Sequence, residues 1–169
     1  GWNVAVPEYT LAPNARISEI TAEIAAVVTK IASGPIRLTG HSAGGHLVYR
    51  MNCTDITLAA DIQKTVSISG IHDLRPPIST DMNDTLKLDK IEVLTESPAF
   101  ATAKPKTSIT FWVGASARPE FLRQNRIICE NWSRAGVKAT DHYAPNDHHF
   151  SIIEPLSDPN SPLTKELLK

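Results

Sequence analysis

The sequence predicts an α/β fold: a mostly parallel sheet of about five strands with helices on both faces, in a single domain over residues 1–169. Three observations carry this. Short apolar runs rich in β-formers recur along the chain, as in strands buried on both faces. Segments of helical periodicity separate them, the pattern of parallel strands joined by crossover helices. A glycine-rich turn, Gly40-His41-Ser42-Ala43-Gly44, stands between one apolar run and the next helical segment. A chain of 169 residues suits one domain with its own hydrophobic core.

The elements follow in order. Residues 2–6 (WNVAV) read as a first strand, with a turn-rich stretch over 7–14. The run starts at Gly1 with no polar lead-in, so a fragment or N-terminally truncated form is expected. Ile17, Ile20, Ile24, Val27, Val28 and Ile31 recur at steps of three and four, one face of an amphipathic helix. Gly34-Pro35 ends it. Residues 36–39 form a second strand, 40–45 a tight turn and 45–52 a helix. Residues 64–69 (KTVSIS) form a third strand. Residues 72–106 are irregular, with four prolines and a short helix around 84–94. Residues 107–113 (TSITFWV) form a fourth strand. Pro119 opens a helix, where its missing N–H costs nothing, and that helix runs to about Arg134. Residues 137–143 form a fifth strand, and 150–156 and 163–168 are closing helical turns.

Hydrophobic residues make up 41% and charged residues 21%, an ordinary globular composition. Seventeen Lys and Arg against eighteen Asp and Glu leave no basic field to attract nucleic acid or an anionic membrane. No apolar run is long enough to span a bilayer, and no basic-then-apolar leader opens the chain, so a cytoplasmic location is expected. Cys53 and Cys129 lie in no Cys-x-x-Cys pair and read as small buried hydrophobes.

In open α/β sheets the chemistry lies outside the carboxyl ends of the strands. There the Gly-x-Ser-x-Gly motif places Ser42 at the tip of a sharp turn. Glycines two residues either side avoid clashes with neighbouring backbone. The helix behind turns its first N–H groups to the same spot, so Ala43 N–H is a candidate oxyanion donor. No Lys-Ser or Lys-Thr follows the glycines, which argues against a phosphate-binding loop. A serine nucleophile needs a base, and the order nucleophile, acid, base calls for a histidine after the last strand. His148 and His149 stand there, and only one of the two neighbours is expected to point inward. With Asp147 they would chelate one metal ion poorly, so neither a metal nor an organic cofactor is implied. His41 and His72 are candidates for the pocket lining, His46 for packing, and His142 for a strand or surface position.

The segments Pro7–Pro13 (PEYTLAP), Gly40-His41-Ser42-Ala43-Gly44-Gly45-His46-Leu47, Ser69-Gly70-Ile71-His72-Asp73-Leu74, Glu96-Ser97-Pro98, Arg118-Pro119-Glu120-Phe121 with Gln124, and His149-Phe150 with Ile152 and Ile153 together carry a resemblance. Over nearly the whole chain the sequence resembles the α/β-hydrolases, specifically bacterial esterases related to kynurenine formamidase (arylformamidase) and hormone-sensitive lipase. The resemblance implies a partial α/β-hydrolase fold and hydrolysis of small esters or aryl formamides through an acyl-enzyme on Ser42. It selects His149 over His148 as the base.

Two departures stand out. The resemblance implies an acid where this chain has Ala117. Glu120 is the substitute offered by position, although an acid in a first helical turn also serves the helix dipole, and Asp147 is a poorer one. The family's His-Gly-Gly oxyanion loop, which lies upstream of the first strand, is absent. An apolar sheet edge left open by the missing strands would favour self-association, so a homo-oligomer covering it is a candidate partner arrangement. The alternative to a working hydrolase is a weak or inactive remnant that serves as an interaction module.

Overall fold

The computed structural model describes residues 2–105 and 107–169, and in it four strands form one sheet in the order β1-β2-β3-β4. They are β1 (Pro35–His41), β2 (Asp61–Ile68), β3 (Ser108–Gly114) and β4 (Lys138–Ala144). Every neighbouring pair is parallel, with Gly40 beside Ser67, Ile68 beside Trp112 and Gly114 beside Ala144. Parallel strands in sequential order bring all four carboxyl ends to one edge. The segments that follow them therefore converge.

The helices are α1 (Ile17–Ile31), α2 (Ala43–Arg50), α3 (Asn83–Leu86), α4 (Lys90–Thr95), α5 (Pro119–Arg134) and α6 (Pro162–Leu168). Single 3-10 segments lie at Pro77–Ser79, Pro98–Phe100 and Ser151–Ser157. The period-two pleat divides the sheet's side chains between two cores. On one face Ile109 and Phe111 meet Tyr49 of α2 and Ile128, Cys129 and Trp132 of α5. The α1 stripe of Ile20, Ile24 and Val28 joins that layer through Leu47 and Met51. On the other face Val66, Ile68, Trp112 and Ala144 meet Ile152 and Leu163. Trp132, almost wholly buried, satisfies its indole N–H on the Pro98 carbonyl at 3.0 Å, as a buried indole must. Cys53 and Cys129 are both free and buried.

Buried charge is paired. Arg50, 1% exposed, donates to Glu96 at 3.0 Å and to Asp55 at 2.6 Å, and Thr21 adds a 2.7 Å bond to Glu96. Removing one partner of such a group leaves an uncompensated charge, at a cost of about 3–5 kcal/mol.

Two expectations are corrected. Residues 2–6 are not a strand: Val4 and Val6 are 83% and 90% exposed. A strand needs a neighbour for its amides and carbonyls, and among the described residues this segment has none. It is held by Trp2, whose ring lies 4.4 Å from the Arg37 guanidinium on β1. Among the described residues the sheet therefore has four strands rather than five. Gly1, just before the expected strand, and Lys106, the end of the irregular stretch, lie outside the described residues. The single helix around 84–94 is two. Lys87 takes a left-handed conformation (φ 54°) that ends α3, and Asp89 starts α4 anew by accepting from the Ile91 and Glu92 amides.

Candidate active site

The turn from β1 into α2 is built by exclusion. A Cβ on Gly40 would stand 2.2 Å from the Gly44 carbonyl oxygen, and one on Gly45 would stand 2.7 Å from the Gly70 Cα. Neither position has room for a side chain. Gly44 differs from the steric expectation, since an added Cβ there meets nothing within 4 Å. Between them Ser42 adopts φ 55° and ψ −114°, a conformation that costs a non-glycine residue about 1–3 kcal/mol. Its amide donates to the Ile68 carbonyl at 2.9 Å, which ties the bend to the end of β2. Ala43, exposed, is the first residue of α2, where an N–H has no acceptor within the helix.

The second half of the site hangs from the end of β4. The turn after β3 grips the loop after β4: Ala115 N donates to Ala144 O at 2.8 Å and Ser116 N to Asp147 O at 2.9 Å. Gly114 sits so close below that a Cβ would lie 2.3 Å from the Asp147 oxygen. The loop then drops Ile152 into the core, fully buried. Between these anchors His149 reaches Ser42, with Nε2 3.1 Å from Oγ. His41 Nε2 lies 2.6 Å from the His149 carbonyl oxygen; a carbonyl only accepts, so that nitrogen carries the proton. The His149 ring stacks on Phe121 at 3.9 Å and 21°, and faces His41 at 4.6 Å.

The imidazole is held in its neutral form. Burial, followed by the nearby His41 and His148, pushes the His149 pKa down to about 4. At neutral pH the Nε2 lone pair is free to take a proton from Ser42. The other nitrogen is anomalous: His149 Nδ1 is buried with no hydrogen-bond partner among the described residues.

The proposed acids do not meet it. Glu120 accepts from Arg123 at 2.8 Å and from Gln124 Nε2 at 2.8 Å, and closes the first turn of α5 on itself. Asp147 accepts from Ser151 Oγ at 3.0 Å. Ala117 is buried at the expected acid position, on the turn that grips the His149 loop. His148 points outward, with Nδ1 accepting from the Phe150 and Ser151 amides. His72 is corrected from the pocket lining to the core. It is fully buried against Tyr49 and Phe111, Nε2 lies 3.3 Å from Ser67 Oγ, and burial lowers its pKa to about 3. His46 is buried with Nδ1 on the Ile71 carbonyl at 2.9 Å. His142 lies in β4 and stacks on Trp112 at 3.6 Å. Among the described residues no cluster of three His, Cys, Asp or Glu could hold a metal ion, and no helix is long and apolar enough to cross a membrane.

Two residues stand out that sequence reasoning did not assign to the site. Phe121 is the stacking partner of His149. Gln124, 1% exposed, accepts from the His72 and Asp73 amides at 2.8 and 2.7 Å and fastens the loop after β2 to α5.

No family model matches the chain. A kynurenine formamidase from Danio rerio is 34% identical over all of this chain, which covers 62% of that protein. A solved structure from Silicibacter sp. TM1040, provisionally assigned as a thioesterase, superposes with a TM-score of 0.89 at 42% identity over 96% of this chain and 63% of the other. An esterase/lipase from an uncultured bacterium superposes with a TM-score of 0.70 at 19% identity, over 94% of this chain and 60% of that one. The chain thus spans about three-fifths of the length of the relatives it matches. It has the α/β-hydrolase fold, and its sequence resembles the kynurenine formamidases.

Proposed function

We propose that this chain carries the nucleophile and base of a serine hydrolase acting on small carboxylic esters or aryl formamides. The observation that carries the reading is the 3.1 Å contact between Ser42 Oγ and His149 Nε2 on a strained strand-to-helix bend. In the proposed cycle Oγ attacks the acyl carbon as its proton passes to Nε2. The Ala43 N–H stabilises the oxyanion. The bond to the alcohol or amine then breaks, the leaving group takes the proton from Nε2, and an acyl-Ser42 ester remains. Water activated by His149 hydrolyses that ester and restores Ser42. No cofactor enters. The proposal includes a cytoplasmic setting, and self-association along β1, which among the described residues pairs on one side only.

Similarity to a kynurenine formamidase and to esterases supports the hydrolase class. The test is labelling with a fluorophosphonate probe, together with p-nitrophenyl acetate turnover. Both are expected in the wild-type chain and lost in Ser42→Ala. A second reading, a weak or inactive remnant acting as an interaction module, is favoured by the unpartnered His149 Nδ1 and by alanine at 117. It predicts no adduct at neutral pH.

A further inference from the structure

Resting on that reading, we infer that Phe121 is the positioning residue for His149, and that its ring supplies by stacking the restraint on orientation that a carboxylate on Nδ1 supplies in a serine–histidine–acid triad. The argument begins with what a catalytic imidazole requires. A base on a loop must present one edge to the serine, and rotation about its last side-chain bond must be restrained. A carboxylate bonded to Nδ1 supplies that restraint and favours the useful tautomer. Here Nδ1 has no partner among the described residues, while Glu120 and Asp147 are both engaged elsewhere.

The restraint that is present is aromatic. Phe121 lies nearly parallel to the imidazole at 3.9 Å and 21°. His41 faces the same ring at 4.6 Å and 38°, and Phe150 approaches it at 5.1 Å and 76°. An imidazole so flanked cannot turn out of its plane without striking a neighbour. Its contact with Ser42 then selects the edge presented. The same stack excludes water from one side of the ring.

Phe121 can do this because its own position is fixed. It sits in the first turn of α5, with its amide donating to Arg118 O at 2.9 Å. Arg123, one turn on, donates to both Glu120 and Asp73, at 2.8 and 3.0 Å. Gln124 bonds the backbone of the loop after β2 from both ends of its amide, with Nε2 on Asp73 O at 2.9 Å and Oε1 receiving the His72 and Asp73 amides. The first turn of α5 is thus fastened to the edge where the strands end. This accounts for an acidic residue at Glu120 that takes no part at His149: it locks the turn that presents Phe121.

The test compares Phe121→Leu and Phe121→Tyr with wild type in ester turnover, alongside one-dimensional and 1H–13C NMR of the His149 ring, assigned by its loss in His149→Gln. The wild-type His149 ring protons are expected to be shifted upfield by the Phe121 ring current, and the shift should disappear in Phe121→Leu and persist in Phe121→Tyr. With an aromatic contact of ordinary strength, kcat should fall about tenfold in Phe121→Leu while KM changes less than about twofold, and Phe121→Tyr should restore it. An unchanged kcat in a folded Phe121→Leu protein overturns the inference, as does a loss confined to KM or an equal loss in Phe121→Tyr. If wild type shows no turnover, or Ser42→Ala keeps it in full, the proposed function falls, and the ring-current measurement alone then decides on Phe121: unshifted His149 protons in wild type overturn its role.

Discussion

A carboxylate introduced at residue 117 should change both the speed of this site and the pH at which acid begins to slow it. Ala117 is buried on the turn after β3, whose Ser116 amide holds the Asp147 carbonyl two residues before His149. The resemblance puts the acid at residue 117, so in Ala117→Asp the new carboxylate is expected to meet Nδ1, which has no partner among the described residues. Two consequences follow. The imidazolium formed during attack gains a counter-charge, a contribution worth up to about 10⁴-fold in turnover in other serine enzymes; a gain on the order of 10²-fold is expected here because the ring plane is already restrained. An anion beside the ring also favours its charged form, so the pKa of about 4 in wild type should rise to 6.5 or above.

At pH 5.5 a base of pKa about 4 is about 97% neutral, whereas one of pKa 6.5 is only about 9% neutral. The wild-type kcat/KM should therefore be nearly flat from pH 8 down to pH 5.5, while the variant starts higher and falls about tenfold. The assay is initial-rate hydrolysis of p-nitrophenyl acetate after rapid dilution from pH 7.5, with tryptophan fluorescence reporting the folded fraction at each pH. A wild-type limb centred near 6.5 would refute the burial argument for His149. A folded variant with wild-type rates and an unmoved limb would refute the expectation that an acid at residue 117 reaches Nδ1.

Two further outcomes are expected. Gly40→Ala should abolish turnover and probe labelling, because its Cβ would overlap the Gly44 carbonyl at 2.2 Å; Gly44→Ala, with nothing within 4 Å, should keep both and raise the free energy of unfolding, read from the urea midpoint, by about 0.5–1 kcal/mol. Equal loss in the two variants would contradict the turn geometry. The buried His46 and His72 have pKa values lowered to about 4 and 3, so between pH 6.5 and those values the unfolded chain binds protons that the folded one does not. Stability is then fully present above pH 6.5 and is lost as pH falls, by about 2 kcal/mol per histidine at pH 5, before most carboxylates titrate. Urea midpoints that agree at pH 7.5 and pH 5 would exclude this.

Elements with a strong period and clear stops are legible in the sequence. The α5 helix spans the stretch that Pro119 opens, and α1 buries Ile20, Ile24 and Val28 from the apolar stripe. The run over residues 2–6 misleads because alternation and β-propensity describe a side chain's preference, while a strand exists only if a neighbour bonds its backbone. The proline-rich stretch hides the break at Lys87, since a lysine carries no signal of left-handed backbone. In the candidate site, the motif points to Ser42 through local turn chemistry and the chain order points to His148 and His149, between which the resemblance selects His149. Phe121 enters only through the resemblance and with no role at the site: an aromatic in a helix gives no sign of what it stacks on until its neighbour across space is known. His72 misleads in the opposite sense, because it directly follows a strand end yet turns inward beneath the turn.

His149, the proposed base, hangs from the strand with the most exposed residues. Four of the seven residues of β4 are exposed, against two of the seven in β1, and the loop beyond depends on a few amides and on Ile152. The serine bend is carried instead by β1 and α2 and tied to the centre of the sheet. Fraying at that outer border would withdraw the imidazole while leaving the remaining architecture standing. Warmed gently, such a molecule would fall silent before it melted, and its working range would be set by one margin of the protein rather than by its total stability.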